Sequence, residues 1–298
     1  MIKVDKVVKH FDKFKVLDEI SINVPRGAIY GLVGPNGAGK TTIINHISGA
    51  YRPESGSITI DGKEVYENPS VKEKVLFIAD DWFFYPTFTI KQMAKLYADM
   101  YPSFDRERYE KIKGVFNIDD KRQIRKLSKG MKKQVAFWLS LSCMPEVLIL
   151  DEPLDGLDPV MRKQVLSLVI ADVADREMTV LVSSHNLREL EDICDYVGII
   201  HKGRMILEKP LDDLKGNVHK YQVVFGENKP EDLDKSDNVL HISNTGSVYN
   251  IIMKGSDFEC DNIISRYNPS VCDKISLTLE EVFVYELGGL GYDYKSIL

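Results

Sequence analysis

The chain has 298 residues, 44% of them hydrophobic and 28% charged, enough to bury a substantial core without disulfides or metals. A net charge of −6 argues against a general affinity for nucleic acid. No run approaches the ~18–20 apolar residues that span a bilayer, and the four cysteines (Cys143, Cys194, Cys260, Cys272) show no CxxC pairing, so reduced thiols in a cytoplasmic protein are expected.

Residues 1–27 contain short β-rich runs at 14–17 and 20–24, closed by Pro25-Arg26-Gly27. Residues 28–33 read as a buried strand that feeds a glycine-rich loop and a helix from Lys40. The stretch Gly34-Pro35-Asn36-Gly37-Ala38-Gly39-Lys40-Thr41-Thr42 fits the phosphate-binding pattern G-x-x-x-x-G-K-[ST], in the strand-then-helix context that the pattern requires. Glycines let the backbone wrap so that its N–H groups point at phosphate oxygens, and a helix N-terminus adds a favourable positive potential. Lys40 is expected to hold the β- and γ-phosphates of a nucleotide, and the Thr41 hydroxyl to ligate Mg²⁺.

Residues 57–60 and 63–65 form a hairpin about Asp61-Gly62, and residues 75–78 a strand followed by Asp80-Asp81. From 86 to 145 the pattern is helical, with Met131, Val135, Trp138 and Leu139 on one face. Residues 147–150 are continuously apolar, as in a parallel strand buried on both faces, and end in Asp151-Glu152. At the carboxyl end of such a strand Asp151 is placed to bind Mg²⁺ and Glu152 to polarise an attacking water. Asp158-Pro159 caps and opens a helix to about residue 174, and strands follow at 179–183 and 196–200. Strands alternating with helices mean a mainly parallel sheet.

Residues 216–298 carry 7 Lys/Arg against 13 Asp/Glu, the whole net charge of the chain, whereas residues 1–215 are balanced at 32 of each. This asymmetry is one reason to expect the chain to divide into a domain carrying the phosphate loop, 1–215, with a helical insertion at about 86–145, and an accessory α+β domain, 216–298. In the second, strands are expected at 221–225 and 247–253 and a helix at 257–267.

With the phosphate loop and the acidic strand in place, the chain resembles the ABC ATPase family, and further matches follow in order. Leu127-Ser128-Lys129-Gly130-Met131 resembles the signature usually written LSGGQ, departing at its third and fifth positions. Ser128 would cap a helix and Gly130 permit close approach of an anion; in the family this element binds the γ-phosphate held by another subunit. Asp158, in Gly156-Leu157-Asp158, resembles the loop that crosses the dimer interface, and His185 the switch histidine at a γ-phosphate. Phe11 resembles the aromatic that stacks on adenine, with Phe14 as a substitute. Asp80-Asp81 stands where the family has a glutamine, and Asp80 is expected to approach Mg²⁺. Residues 276–283 resemble the closing stretch of ABC-2-type exporter ATPases.

The resemblance implies an α/β P-loop core with an antiparallel β arm and helical insertion. It also implies an ATPase with ATP and Mg²⁺ as ligands, and a homodimer or heterodimer with a similar ATPase subunit. The partner would be an integral membrane permease that holds the subunit on the inner face of the membrane. Trp82-Phe83-Phe84-Tyr85 and Phe88 lie where such a permease docks in the family, and an exposed aromatic patch is expected there. Export is the implied direction, and a multidrug, cationic-peptide or amphipathic-peptide cargo is expected. A stand-alone regulatory ATPase is the other reading. A GTPase is disfavoured because the nearest approach to N-K-x-D, Asn228-Lys229-Pro230-Glu231, ends in Glu.

Overall fold

Alternation of apolar and polar residues makes β1 (Ile2–Phe11) and β2 (Phe14–Val24) an antiparallel pair, with Ile2, Val4, Leu17, Ile20, Ile22 and Val24 buried on one face. In this computed structural model, which describes residues 1–80, 84–216, 218–226, 232–233 and 236–289, the pair is joined by β4 (Ser55–Ile60) and β5 (Lys63–Glu64) in the order β2-β1-β4-β5. Before β4 come β3 (Ile29–Val33), which is buried throughout, and helix α1 (Lys40–Ile47). Ile43, Ile44 and Ile47 of α1 share one hydrophobic core with residues of the antiparallel arm and of the second sheet.

That second sheet is the parallel one. After α2 (Pro69–Lys72) come β6 (Val75–Ile78) and the helical insertion, α3 (Ile90–Met100), α4 (Arg106–Phe116) and α5 (Lys129–Ser142). The chain continues with β7 (Val147–Asp151), α6 (Pro159–Arg176), β8 (Thr179–Ser184), α7 (Leu187–Glu191), β9 (Tyr196–His201) and β10 (Arg204–Pro210). The strands lie in the order β10-β9-β3-β8-β7-β6, and the ladder from β9 to β6 is parallel. None of the described helices is long and apolar enough to cross a membrane.

The chain forms two compact units, Met1–Glu208 and Lys209–Leu298. The second begins with α8 (Leu211–Lys215), continues through β11 (Val218–Val224), β12 (Val239–Thr245), β13 (Val248–Lys254), α9 (Asp257–Ser265) and β14 (Val271–Ile275), and ends in α10 (Leu279–Gly289). Its antiparallel sheet runs β12-β13-β11-β14 over a core of its own that includes Tyr221, Val223, Ile251 and Met253. Sequence patterning missed β10, β12 and β14. Edge strands β12 and β14 are almost wholly exposed, so neither has the buried face that alternation reports.

Within the first unit an ion network joins the helical insertion to α6. Arg108 of α4 and Arg176 both pair with Asp172, whose side chain is only 4% exposed. Removing a buried carboxylate strands two guanidinium groups against each other. Asp172→Ala is therefore expected to lower the unfolding free energy of this unit by about 3–5 kcal/mol in urea titrations followed by circular dichroism. A loss under about 1 kcal/mol would show that the network contributes nothing.

Candidate nucleotide-binding site

Three strand ends converge at one edge of the parallel sheet. β3, β8 and β7 are neighbours in the registers Val33↔Ser184 and Asp151↔Ser183, so the loop after β3, the acids at the end of β7 and the turn after β8 leave the sheet side by side. Open α/β sheets bind ligands outside these carboxyl ends.

The loop from Gly34 to Gly39 holds its shape through two glycines. A Cβ on Gly34 would collide with the Ile200 carbonyl, and Gly39, which opens α1, has a φ of +109° that side chains rarely adopt. The Ala38 N–H closes the loop on Pro35 O at 3.1 Å. Lys40 is buried; its Nζ donates to Gly34 O at 2.6 Å and lies 3.5 Å from Glu152 Oε1.

The Thr41 hydroxyl donates to Asp151 Oδ2 at 2.8 Å, and the Ser183 hydroxyl donates to Asp151 Oδ1 at 2.5 Å, so both oxygens of this buried carboxylate are fixed. Ser183 Oγ also accepts from the Glu152 N–H at 3.2 Å. Glu152 takes a positive φ of 46°, and its Oε2 meets His185 Nδ1 at 2.9 Å. The oxygens of Thr41 and Asp151 are close enough to share one ion, and they are the hard donors that Mg²⁺ prefers.

Beside these groups lies an open cavity of about 440 Å³. Its wall includes Asn36, Gly37 and Thr42 of the loop, the acids Asp80, Asp151 and Glu152, and the rings of Phe11 and Phe14. Phe11 is 45% and Phe14 72% exposed, on either side of the tight turn that joins β1 to β2. The Lys9 ammonium lies 5.4 Å from the centre of the Phe11 ring.

Ser128, Gly130, Met131 and Asp158 do not line this cavity. Ser128 caps α5, accepting from the Met131 N–H at 3.2 Å, and Asp158 caps α6, accepting from Val160 and Met161. A Cβ on Gly130 would lie 3.4 Å from the Gly156 carbonyl, so the start of α5 rests on the turn that follows Glu152. Of the expected aromatic patch, Phe84 is buried, Tyr85 is 47% exposed, and half-buried Phe88 packs against Tyr85 with ring centres 4.9 Å apart. Asp81, Trp82 and Phe83 lie outside the described residues.

Sequence reasoning passed over Ser183 and Lys133. Lys133 is 1% exposed and donates to the carbonyls of Glu152 and Asp155 at 2.9 and 2.8 Å. Burial pushes its pKa down, opposed by the carboxylates of Asp80, Asp155 and Glu152. It stands in a lysine-rich stretch with Lys129 and Lys132, and nothing in the letters separates it from them.

Comparison with known proteins gives the same picture. The family model described as ABC transporter matches residues 17–155. The ABC transporter ATP-binding protein YtrB of Bacillus subtilis (strain 168) is 32% identical over 289 residues, 97% of this chain and 99% of that protein. The bacitracin transport ATP-binding protein BcrA of Bacillus licheniformis is 34% identical over 224 residues, 74% of this chain and 73% of that one. A solved structure of an ATP-binding subunit of an ABC transporter matches with a TM-score of 0.68 at 28% identity, over 72% of this chain and 92% of that one. With the glycine-rich loop, the acidic strand end and His185 meeting at one sheet edge, and with a relative matched along nearly its whole length, the chain belongs to the ABC transporter family as an ATP-binding, ATP-hydrolysing subunit.

Proposed function

We propose that this subunit works as a dimer closed around ATP and powers export through a separate membrane permease, with Glu152 as the general base. The observation that carries the catalytic part is the hydrogen-bonded array Thr41–Asp151–Ser183 beside Lys40–Glu152–His185. The dimer is supported by what the cavity wall omits. Ser128, Gly130 and Met131 sit at a helix start suited to an anion, yet outside the wall of the cavity beside the chain's own phosphate loop. A second copy would bring them to it.

In this reading Phe11 stacks on the base, the loop N–H groups and Lys40 hold the phosphates, and Thr41 and Asp151 hold Mg²⁺, directly or through water. When bound, the ion neutralises charge that develops between the β- and γ-phosphates. Glu152 takes the proton of the attacking water, and His185, bonded to its carboxylate, orients it and reaches toward the γ-phosphate. Asp80, on the same wall, stands where the family has a glutamine and would offer the ion a carboxylate. Asp158 stands in the turn that would cross the interface. ATP favours the closed dimer over the open one, so binding drives closure and hydrolysis removes the bias.

The permease would dock beside Tyr85 and Phe88 and hold the subunit on the inner face of the membrane, where aromatic anchors suit an interface core. An amphipathic peptide is the proposed cargo, in keeping with a relative named for bacitracin transport. The accessory domain, in the proposed division 216–298, is given no part in hydrolysis.

Glu152→Gln should cut turnover by ~10²–10⁴ while keeping ATP affinity, and ATP should then trap a dimer in sedimentation. Wild-type turnover in that variant would remove Glu152 from the chemistry. Phe11→Ala should weaken ATP binding by ~1–3 kcal/mol and leave tripolyphosphate binding unchanged; equal losses for both ligands would point to damaged folding. Tyr85→Ser should preserve ATP affinity in solution and lose copurification with the permease, and full retention of the permease would place docking elsewhere.

A further inference from the structure

Lys133 lies one turn into α5, and its buried ammonium spans the two carbonyls that bracket the turn after the catalytic strand, those of Glu152 and Asp155. The Glu152 backbone is in the left-handed region at φ +46°, unusual for a residue with a side chain, so its carbonyl is turned out of the line of β7. Lys133 takes that carbonyl, while Ser183 holds the N–H of the same residue. The peptide that aims the Glu152 side chain is thus fixed from both ends, once by β8 and once by α5. The helix that supplies Lys133 is also the helix that begins with Ser128 and Gly130, and Gly130 lies against Gly156 in the same turn. Burial pushes the pKa of this lysine down, and the carboxylates of Asp80, Asp155 and Glu152 oppose that shift.

We infer that Lys133 is a positioning residue that ties the direction of the Glu152 carboxylate to the position of the helix carrying Ser128 and Gly130. Any displacement of that helix by an anion at its N-terminus is passed through the ammonium to the Glu152 peptide, so the signature end of α5 and the general base move as one body. This inference rests on the proposed role of Glu152.

The test uses the full-length chain in six forms: wild type, Lys133→Met, Lys133→Gln, Glu152→Gln and the two double variants that combine Glu152→Gln with each Lys133 substitution. Lys133→Met keeps the length of the side chain and removes the donor. It should lower kcat about 10- to 100-fold, the scale of a small misplacement of a reacting group, and leave ATP affinity and KM near wild type. Lys133→Gln, one atom shorter, reaches at most one carbonyl and should lose less than Lys133→Met. In the Glu152→Gln background neither substitution should lower the residual turnover further, because the group that Lys133 positions is already gone. Wild-type kcat in both single variants overturns the inference, as does an equal further loss in the Glu152→Gln background. If Lys133→Met is not recovered folded, Lys133→Gln decides by the same two criteria. Wild-type turnover in Glu152→Gln itself would instead overturn the catalytic assignment on which the inference rests.

Discussion

The parallel register of β3, β8 and β7 is the constraint on which the site depends. A strand shifted by one residue turns every side chain to the other face, so Val33↔Ser184 and Asp151↔Ser183 leave no latitude in where the chain emerges. Those two pairings set the phosphate loop, the two acids and the histidine at neighbouring exits, although more than a hundred residues separate the first from the others in sequence. The register is itself enforced by burial. β3, β7 and β8 are buried at every position, and the core beneath them is shared with α1 and the antiparallel arm. A slip would put polar residues from the strand ends into that core.

Around this frame the charges are arranged by contrast. Asp151 is buried and accepts from two hydroxyls, a fixed acceptor whose orientation cannot drift. Glu152, next in sequence, is held at its backbone, while its carboxylate is shared between the Lys40 ammonium and the His185 ring. The two adjacent acids, both on the cavity wall, thereby acquire different surroundings, Asp151 fixed by two hydroxyls and Glu152 shared between a lysine and a histidine. The helix start at Ser128 and Gly130 is built in the same unit but faces its own turn rather than its own loop. Proposed closure by a second copy follows from that separation.

The sequence disclosed those parts of the site whose chemistry is contiguous. Nine residues from Gly34 to Thr42 carry the loop, and an apolar run ending in two acids carries the catalytic strand. Asp158 and Ser128 were legible because capping residues sit immediately before the helices they begin. Lys133 and Ser183 were not, since their roles arise from pairing across the fold: Lys133 reaches the turn after β7, and Ser183 reaches Asp151 through strand register. The same physics explains the tail. β11 and β13 have buried positions at strand spacing and were foreseen, whereas β12 and β14 are held by backbone pairing at exposed edges, which leaves no mark in side-chain patterning.

Among the described residues, one hydrophobic core lies within Met1–Glu208 and another within Lys209–Leu298, so each compact unit buries apolar surface of its own. The groups proposed to hold the nucleotide all belong to the first. By mass action a ligand stabilises the unit it binds, by about 2.7 kcal/mol at a hundredfold excess over its Kd, and contributes nothing to the folding of a unit it does not touch. The nucleotide cycle would therefore raise and lower the stability of the unit that holds the proposed site.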